Sequence, residues 1–209
     1  MLRTVSRESS LLIRKRIPMP EKILMETDRL LVREWQDDDL DPFAEMCADP
    51  EVMRYFPAPL TREQTAILID IAIRKQKEDG FCFVPVETKS NREFLGFVGL
   101  SIPAYAKPLP FDPCVEVGWR LKRPAWGNGY ATEAAKAWLR FGFETVDLTE
   151  IVSFTTKGNR PSREVMKRLG MVRNAEDDFK HPMLDGGHPL EDHVLYRLKR
   201  VDWTDREND

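Results

Sequence analysis

The segment VEVGWRLKR (115–123) runs through Pro124 into WGNGYATEAAKAWLRFGF (126–143), a strand-like run meeting a glycine turn that opens a helix. Gly127 and Gly129 leave the backbone unshielded and Ala131 is small, so free amides near Asn128 to Thr132 converge at the positive end of the helix. The guest such a turn favours is a phosphate group, which points to a phosphorylated cofactor. A strand-to-helix connection whose glycines only solve geometry is the plain alternative. Two phosphate motifs are excluded. No Gly-Lys-Ser/Thr closes the turn, and Thr132 stands where a dinucleotide fingerprint has its third glycine.

Two further residues could do chemistry. Glu116 lies on the preceding strand, on the face opposite Val115, Val117 and Trp119; it either borders a cleft, faces solvent or pairs with a neighbouring arginine. Ser162 shares a helical face with Val165, Met166 and Leu169, so its hydroxyl needs a partner, either its own backbone or a ligand. His181, His188 and His193 follow no zinc spacing and fit no single helix face, and the Asp37–Asp39 triplet reads as a helix start. No metal site is expected.

The elements that must position these residues follow from periodicity. A first strand is predicted over 27–35, then a helix from the Asp37–Asp39 cluster with Leu40, Phe43, Ala44 and Cys47 on one face. A longer helix, capped by Thr61 and stopped by Asp79-Gly80, has Ile67, Leu68, Ile71 and Ile73 among its apolar positions. Strands are predicted at 81–87, 93–102 and 114–121, the first two joined by a Ser90-Asn91-Arg92 turn. The four prolines of PAYAKPLPFDP mark a loop at the sheet edge before the third. After the glycine turn come a strand at 150–156, a helix at 159–171 and a strand at 193–201. A run of strands followed by alternation gives an α/β class, a mixed sheet with helices packed on it.

A chain of 209 residues with 42% hydrophobic and 32% charged side chains is read as one soluble domain over 23–203, with a tail at 204–209. Residues 1–22 read as an extension: an arm, an oligomer contact such as a homodimer would use, or an upstream start where Met19 or Met25 would serve. A net charge of −3 with interleaved signs gives no footprint for nucleic acid or an anionic membrane. Separated Cys47, Cys82 and Cys114 suit free thiols in a reducing, cytoplasmic compartment.

EVGWRLKRPAWGNGYATEAAKAWLRFGFE, followed by NRPSREVMKRLGM, resembles the acetyl-CoA-binding half of the GNAT acyltransferases, in particular the RimJ/RimL-like ribosomal-protein N-terminal acetyltransferases. TDRLLVREWQDDDLDPFAEMCADPEVMRYF is similar to the start of that branch, so the likeness spans about 26–201. Trp126 stands where the family usually has Gln or Arg. The resemblance implies a mixed twisted sheet whose splayed parallel strands hold acetyl-CoA. The pyrophosphate would lie on Gly127, Asn128, Gly129, Tyr130, Ala131 and Thr132 beside Trp126, with the pantetheine arm on the backbone of Trp119 and Leu121 and bonded by Asn159. Asn159 also reads as a plain helix cap.

It further implies direct acetyl transfer to a primary amine, with Glu116 as the base, Ser162 protonating the departing thiolate and a strand amide near Val117 or Trp119 polarising the carbonyl. The acceptor, a protein N-terminus such as a ribosomal protein's or a small amine, would meet Trp35, Met53, Tyr55 and Phe56, with Tyr105 and His193 opposite. The rival from another class is a non-catalytic acyl-CoA-binding module. A nucleotide-dependent enzyme would require ATP or NAD instead.

Overall fold

The computed structural model describes residues 22–203. The extension, apart from Lys22, and the tail at 204–209 lie outside the described residues. The predicted first strand is two strands, β1 (Ile23–Glu26) and β2 (Leu30–Arg33), reversed through Thr27–Arg29. Lys22 belongs with them: its carbonyl accepts from Glu34 N–H at 3.0 Å and its Nζ meets Glu34 at 2.8 Å. Helix α1 (Leu40–Ala48) follows a 3-10 turn made by Asp37–Asp39, and the short α2 (Pro50–Met53) is capped by Asp49.

Helix α3 (Arg62–Asp79) starts as predicted. Thr61 and Gln64 bond each other's main chain at 3.2 and 2.9 Å, and Gly80, at φ 82°, ends it. Thr65, Ile69 and Ala72 pack inward, whereas Ile67, Leu68 and Ile71 are exposed. Leu68 and Ile71 instead help wall a cleft.

Strands β3 (Phe83–Thr88) and β4 (Phe94–Ser101) form the expected hairpin, turned at Arg92 with φ 59°. The proline-rich loop then leads to β5 (Glu116–Leu121), and here the expectation of an edge loop fails: β4 and β5 are neighbours in the middle of the sheet. The loop caps the sheet's end, where main-chain groups are not needed for pairing. After β5 come α4 (Tyr130–Arg140), β6 (Glu150–Thr156), α5 (Arg160–Arg168), β7 (Val172–Arg173), β8 (Phe179–Lys180) and β9 (Asp192–Lys199). The two-residue strands β7 and β8 carry too little pattern to be read from sequence. Both pair with β9.

The sheet order is β1-β2-β3-β4-β5-β6-β9-β7, antiparallel throughout except between β5 and β6. Helices cover both faces. On one, Trp138, Leu139, Ala134 and Ala135 of α4 join Val117, Leu121, Val98 and Met166 in the main core. On the other, Phe43, Met46 and Cys47 of α1 meet Ile69 of α3, with Phe97 and Trp35 against them. No helix among the described residues is long and apolar enough to cross a membrane.

The Asp triplet has a structural use. Arg33, 5% exposed, makes a two-pronged bond to Asp39 at 2.7 Å and a third to Glu87 at 2.7 Å, and both carboxylates are buried. Burial pulls the guanidinium's pKa down, but the bonds and charges of Asp39 and Glu87 together outweigh it and hold the pKa above the usual arginine value. This pins β2, β3 and the start of α1 together. Arg33→Met leaves buried Asp39 with the Gln36 amide and buried Glu87 with Arg92 but removes the cation they share, so urea denaturation should show a loss of about 3 kcal/mol. Replacing all three groups by apolar residues should cost less.

Candidate active site

Between β5 and α4 the chain makes a 3-10 turn (Arg123–Ala125) and then the glycine turn. Gly127 and Gly129 sit at φ 77° and 80°, a left-handed conformation that L side chains resist. Gly129 is the N-cap of α4 and offers no side chain to the helix start. The first intrahelical bond runs from Glu133 N–H to Gly129 C=O at 3.0 Å, so the amides of Tyr130, Ala131 and Thr132 have no acceptor among the described residues. The hydroxyl Oγ1 of Thr132 is also buried without a partner. Asn128 turns its side chain back, Nδ2 donating to Trp126 C=O at 3.1 Å, which stiffens the turn. The half-exposed Trp126 ring donates Nε1–H to Leu121 C=O at 2.8 Å.

A latch behind this turn escaped the sequence reading. Glu133, in the first turn of α4, receives Thr27 Oγ1 at 2.5 Å, Arg29 N–H at 2.9 Å and Arg29 Nε–H at 2.7 Å. Burial would raise the Glu133 pKa, but these bonds and the Arg29 charge bring it below the usual carboxylate range. Arg29 also donates to Asn128 C=O at 3.0 Å and lies 4.8 Å over the Tyr130 ring. The β1–β2 reversal thus grips the cradle across about a hundred residues of chain. An acidic residue in a first helical turn is ordinary, which is why Glu133 gave no signal.

Strands β5 and β6 share a single register pair, Glu116 opposite Val152. Val152 N–H donates to Val115 C=O, while Lys122 N–H donates to Leu95 on the β4 side, each at 2.9 Å. Main-chain groups alternate sides along a strand, so those of Val117, Trp119 and Leu121 turn toward β6. Beyond the one pair, β6 has moved away. The main chain of Trp119 therefore faces a gap between parallel strands, open to a guest that can pair as a strand would.

Glu116 stands where the gap opens. It is half-buried, has no arginine partner among the described residues, and its pKa is pushed up to about 8, first by burial, with nearby Lys75 lowering it and Asp112 raising it. Lys75 is itself held by Ile102 C=O. Ser162, in the first turn of α5, borders the same cleft. Its amide donates to Asn159 Oδ1 at 3.3 Å, and its hydroxyl does not bond the helix backbone. Asn159 caps α5 and donates Nδ2–H to Thr155 Oγ1 at 2.9 Å. In this structure its side chain secures the β6–α5 turn, the plainer of its two expected uses.

The cleft has a volume of about 1830 Å³, well above the roughly 300–1,000 Å³ that suits one small ligand. Trp35, Tyr55, Phe56, Tyr105 and His193 line it as expected. Met53 does not. It is 2% exposed and turned into the protein by α2. Trp35 fixes its indole on Phe83 C=O at 2.9 Å.

Two histidines distant from any shared motif meet here. The rings of His181 and His193 are 4.8 Å apart, and Tyr105 lies 4.9 Å from His181. Burial pulls the His193 pKa down to about 4, so it is neutral near pH 7. His188 stays outside the cleft, accepting from Leu190 N–H at 3.1 Å. Sequence spacing could not show the pairing, since β8 brings His181 to β9 through Phe179 opposite His193.

An amide cradle at a helix start, with a strand-shaped gap and an acid beside it, suits a transferase whose acyl donor is a nucleotide-tailed thioester. The comparisons agree. The acetyltransferase (GNAT) domain profile matches residues 29–172, and the chain belongs to that family. The uncharacterized N-acetyltransferase YnaD of Bacillus subtilis is 29% identical, over 85% of this chain and 98% of its own. A GNAT-family acetyltransferase structure from Bacillus anthracis superposes with a TM-score of 0.69 at 25% identity, covering 85% of this chain and 98% of that one. The fold is also that of the ribosomal-protein-S5-alanine acetyltransferase from Vibrio fischeri, with a TM-score of 0.62 at 22% identity, covering 86% and 98%.

The protein is an acetyl-CoA-dependent acyltransferase. The residues present suit that group: unpartnered amides and an open turn for the diphosphate, and a parting of strands for the arm.

The cradle's geometry can be tested against a control. Gly129→Ala forces alanine to φ 80°, costing about 1–2 kcal/mol, and should weaken acetyl-CoA binding roughly tenfold by calorimetry. Gly80→Ala carries the same penalty at φ 82° with nothing within 4 Å of the new Cβ, and should lower stability while leaving the dissociation constant unchanged.

Proposed function

We propose that this chain is a single-domain N-acetyltransferase, over residues 23–203, of the RimJ/RimL-like branch, acting on a primary amine in a ternary complex. Acetyl-CoA supplies the activated acetyl thioester. Every other task falls to the chain. The amides from Gly127 to Thr132, with Arg29 behind them, hold the diphosphate, and the backbone of Trp119 and Leu121 aligns the arm. The main-chain N–H of Trp119 is the donor available to polarise the carbonyl.

The observation that carries this reading is Glu116. An attacking amine must shed its proton, and an ordinary glutamate is too weak a base to take it. A carboxylate with a pKa of about 8, at the mouth of the strand gap, is matched to that proton. The Ser162 hydroxyl, free of its own backbone and bordering the cleft, is the group to protonate the departing thiolate. The acceptor is a protein N-terminus or a small primary amine. Support for the former comes from the Vibrio fischeri protein, whose name specifies a ribosomal protein as its target.

Because the base works deprotonated, wild-type kcat/KM should rise with pH through an inflection near 8. Glu116→Gln should lose that inflection and about a hundredfold in kcat/KM, read by thiol release with a panel of amines and peptides. An inflection that survives the substitution assigns the base elsewhere. Ser162→Ala should lower kcat about tenfold or more while acetyl-CoA affinity holds.

Stability provides an independent check. A carboxyl whose folded pKa is raised contributes its full stability below pH 4.5 and loses it as pH rises toward 8. Glutamine never ionises. The melting temperature of Glu116→Gln should therefore exceed that of the wild type at pH 8 and meet it near pH 4.5.

A further inference from the structure

Along β5 the even-numbered residues form a row that the chemistry above uses only at one end. Glu116, Gly118 and Arg120 share the face turned toward α1 and α3, and all three line the cleft. Gly118 keeps the middle of the row bare: a Cβ there would sit 2.9 Å from the Phe83 ring. The far end is a guanidinium with no counter-charge. Arg120 lies 4.0 Å under the Phe56 ring and 5.4 Å from that of Phe97, and NH1 reaches only Cys47 Sγ at 3.4 Å. Its Nε–H is buried and has no acceptor. Among the described residues no carboxylate pairs with it.

The same chain shows what it does with a buried arginine used for stability. Arg33 has Asp39 and Glu87 bonded at 2.7 Å and fills both edges of its fork. Aromatic faces and a thiol hold Arg120 in place but are weak acceptors that leave its charge uncompensated. Burial lowers its pKa, yet an arginine in a protein stays protonated. A planar fork that is half-buried, orphaned at one buried donor and lining the cleft is built for a planar oxyanion.

We propose that Arg120 receives a carboxylate of the acceptor, so the natural substrate is an amine that carries a carboxylate several atoms from the reacting nitrogen. This rests on the reading that the amine is delivered to Glu116. The Cα atoms of residues four apart on a strand are about 13 Å from one another, which favours a spacer longer than the single carbon of an α-amino acid. The carboxylate could end a small ω-amino acid or be an acidic side chain near a peptide's N-terminus.

Binding and turnover test this separately. With coenzyme A present, N-acetyl-ε-aminocaproate should bind the wild type about tenfold or more tightly than its carboxamide, measured by calorimetry, since a charged hydrogen bond is lost in the amide. Arg120→Gln should erase the difference, and Arg120→Lys should keep part of it. The wild-type acid–amide comparison decides the matter even if a variant fails to fold.

Equal binding of acid and amide by the wild type, or a preference that persists in Arg120→Gln, overturns the proposal. In turnover, ε-aminocaproate against its amide and a peptide with Asp near a free N-terminus against the same peptide with Asn identify the source of the carboxylate. Acid-selective binding with no amine acetylated supports the oxyanion site and counts against the transfer reading.

Discussion

The parting of β5 from β6 after one shared pair is the constraint on which the site depends. Parallel strands in a sheet normally satisfy each other's main chain along their length. Here the pairing stops at Glu116 and Val152, and the groups of Trp119 are left facing an opening. The opposite edge of β5 is fully committed, with six consecutive residues, Glu116 to Leu121, in register with β4. So β5 cannot drift toward β6 to close the gap. Gly96 and Gly99 keep β4 close on both sides, since a Cβ at either would lie 2.1 Å from a neighbouring carbonyl oxygen, that of Arg120 or of Cys82.

This one strand then sorts the chemistry by direction. Its odd-numbered residues send side chains into the α4 core, while their main chain turns to the gap. Its even-numbered residues send Glu116 and Arg120 into the cleft. Immediately beyond its end, the glycine turn supplies amides at the positive end of α4, and the β1–β2 reversal adds the Arg29 cation to the same spot. On the proposed reading, donor binding, proton transfer and acceptor binding are thereby arranged along and beside a single stretch, residues 115–133.

Much of that stretch, and several elements outside it, could be read from the sequence. Glycines flanking Asn128, the helix behind them, the Thr61 cap and the hairpin at Arg92 all declare themselves through local rules, because each is fixed by residues within a few positions. What stayed hidden needs partners distant in the chain. Glu133 looks like any acid at a helix start until Thr27 and Arg29 are folded against it. His181 and His193 become neighbours only through the two-residue pairing of β8 with β9. The exposed face of α3 is a related case: Leu68 and Ile71 wall a cleft, a use that periodicity cannot separate from core. Met53 erred the other way, its place beside Tyr55 suggesting the cleft while its side chain is buried.

The strength of Glu116 as a base follows from a balance that the fold holds fixed. Burial is the largest influence and raises its proton affinity; Lys75 works against it and Asp112 with it. Lys75 is only 14% exposed and is tied to Ile102 C=O and, at 3.9 Å, to Asp79, so its charge cannot swing in to form a full ion pair with Glu116. A free lysine there would collapse onto the carboxylate and return it to an ordinary acid. Asp112 stands on the proline-rich loop, whose stiff residues hold it near Glu116 without a backbone ladder to enforce the position. The loop that caps the sheet's end therefore acts with α3 to set the site's proton affinity. The proposed base itself contributes only a carboxylate; the packing around it is what raises that carboxylate's proton affinity.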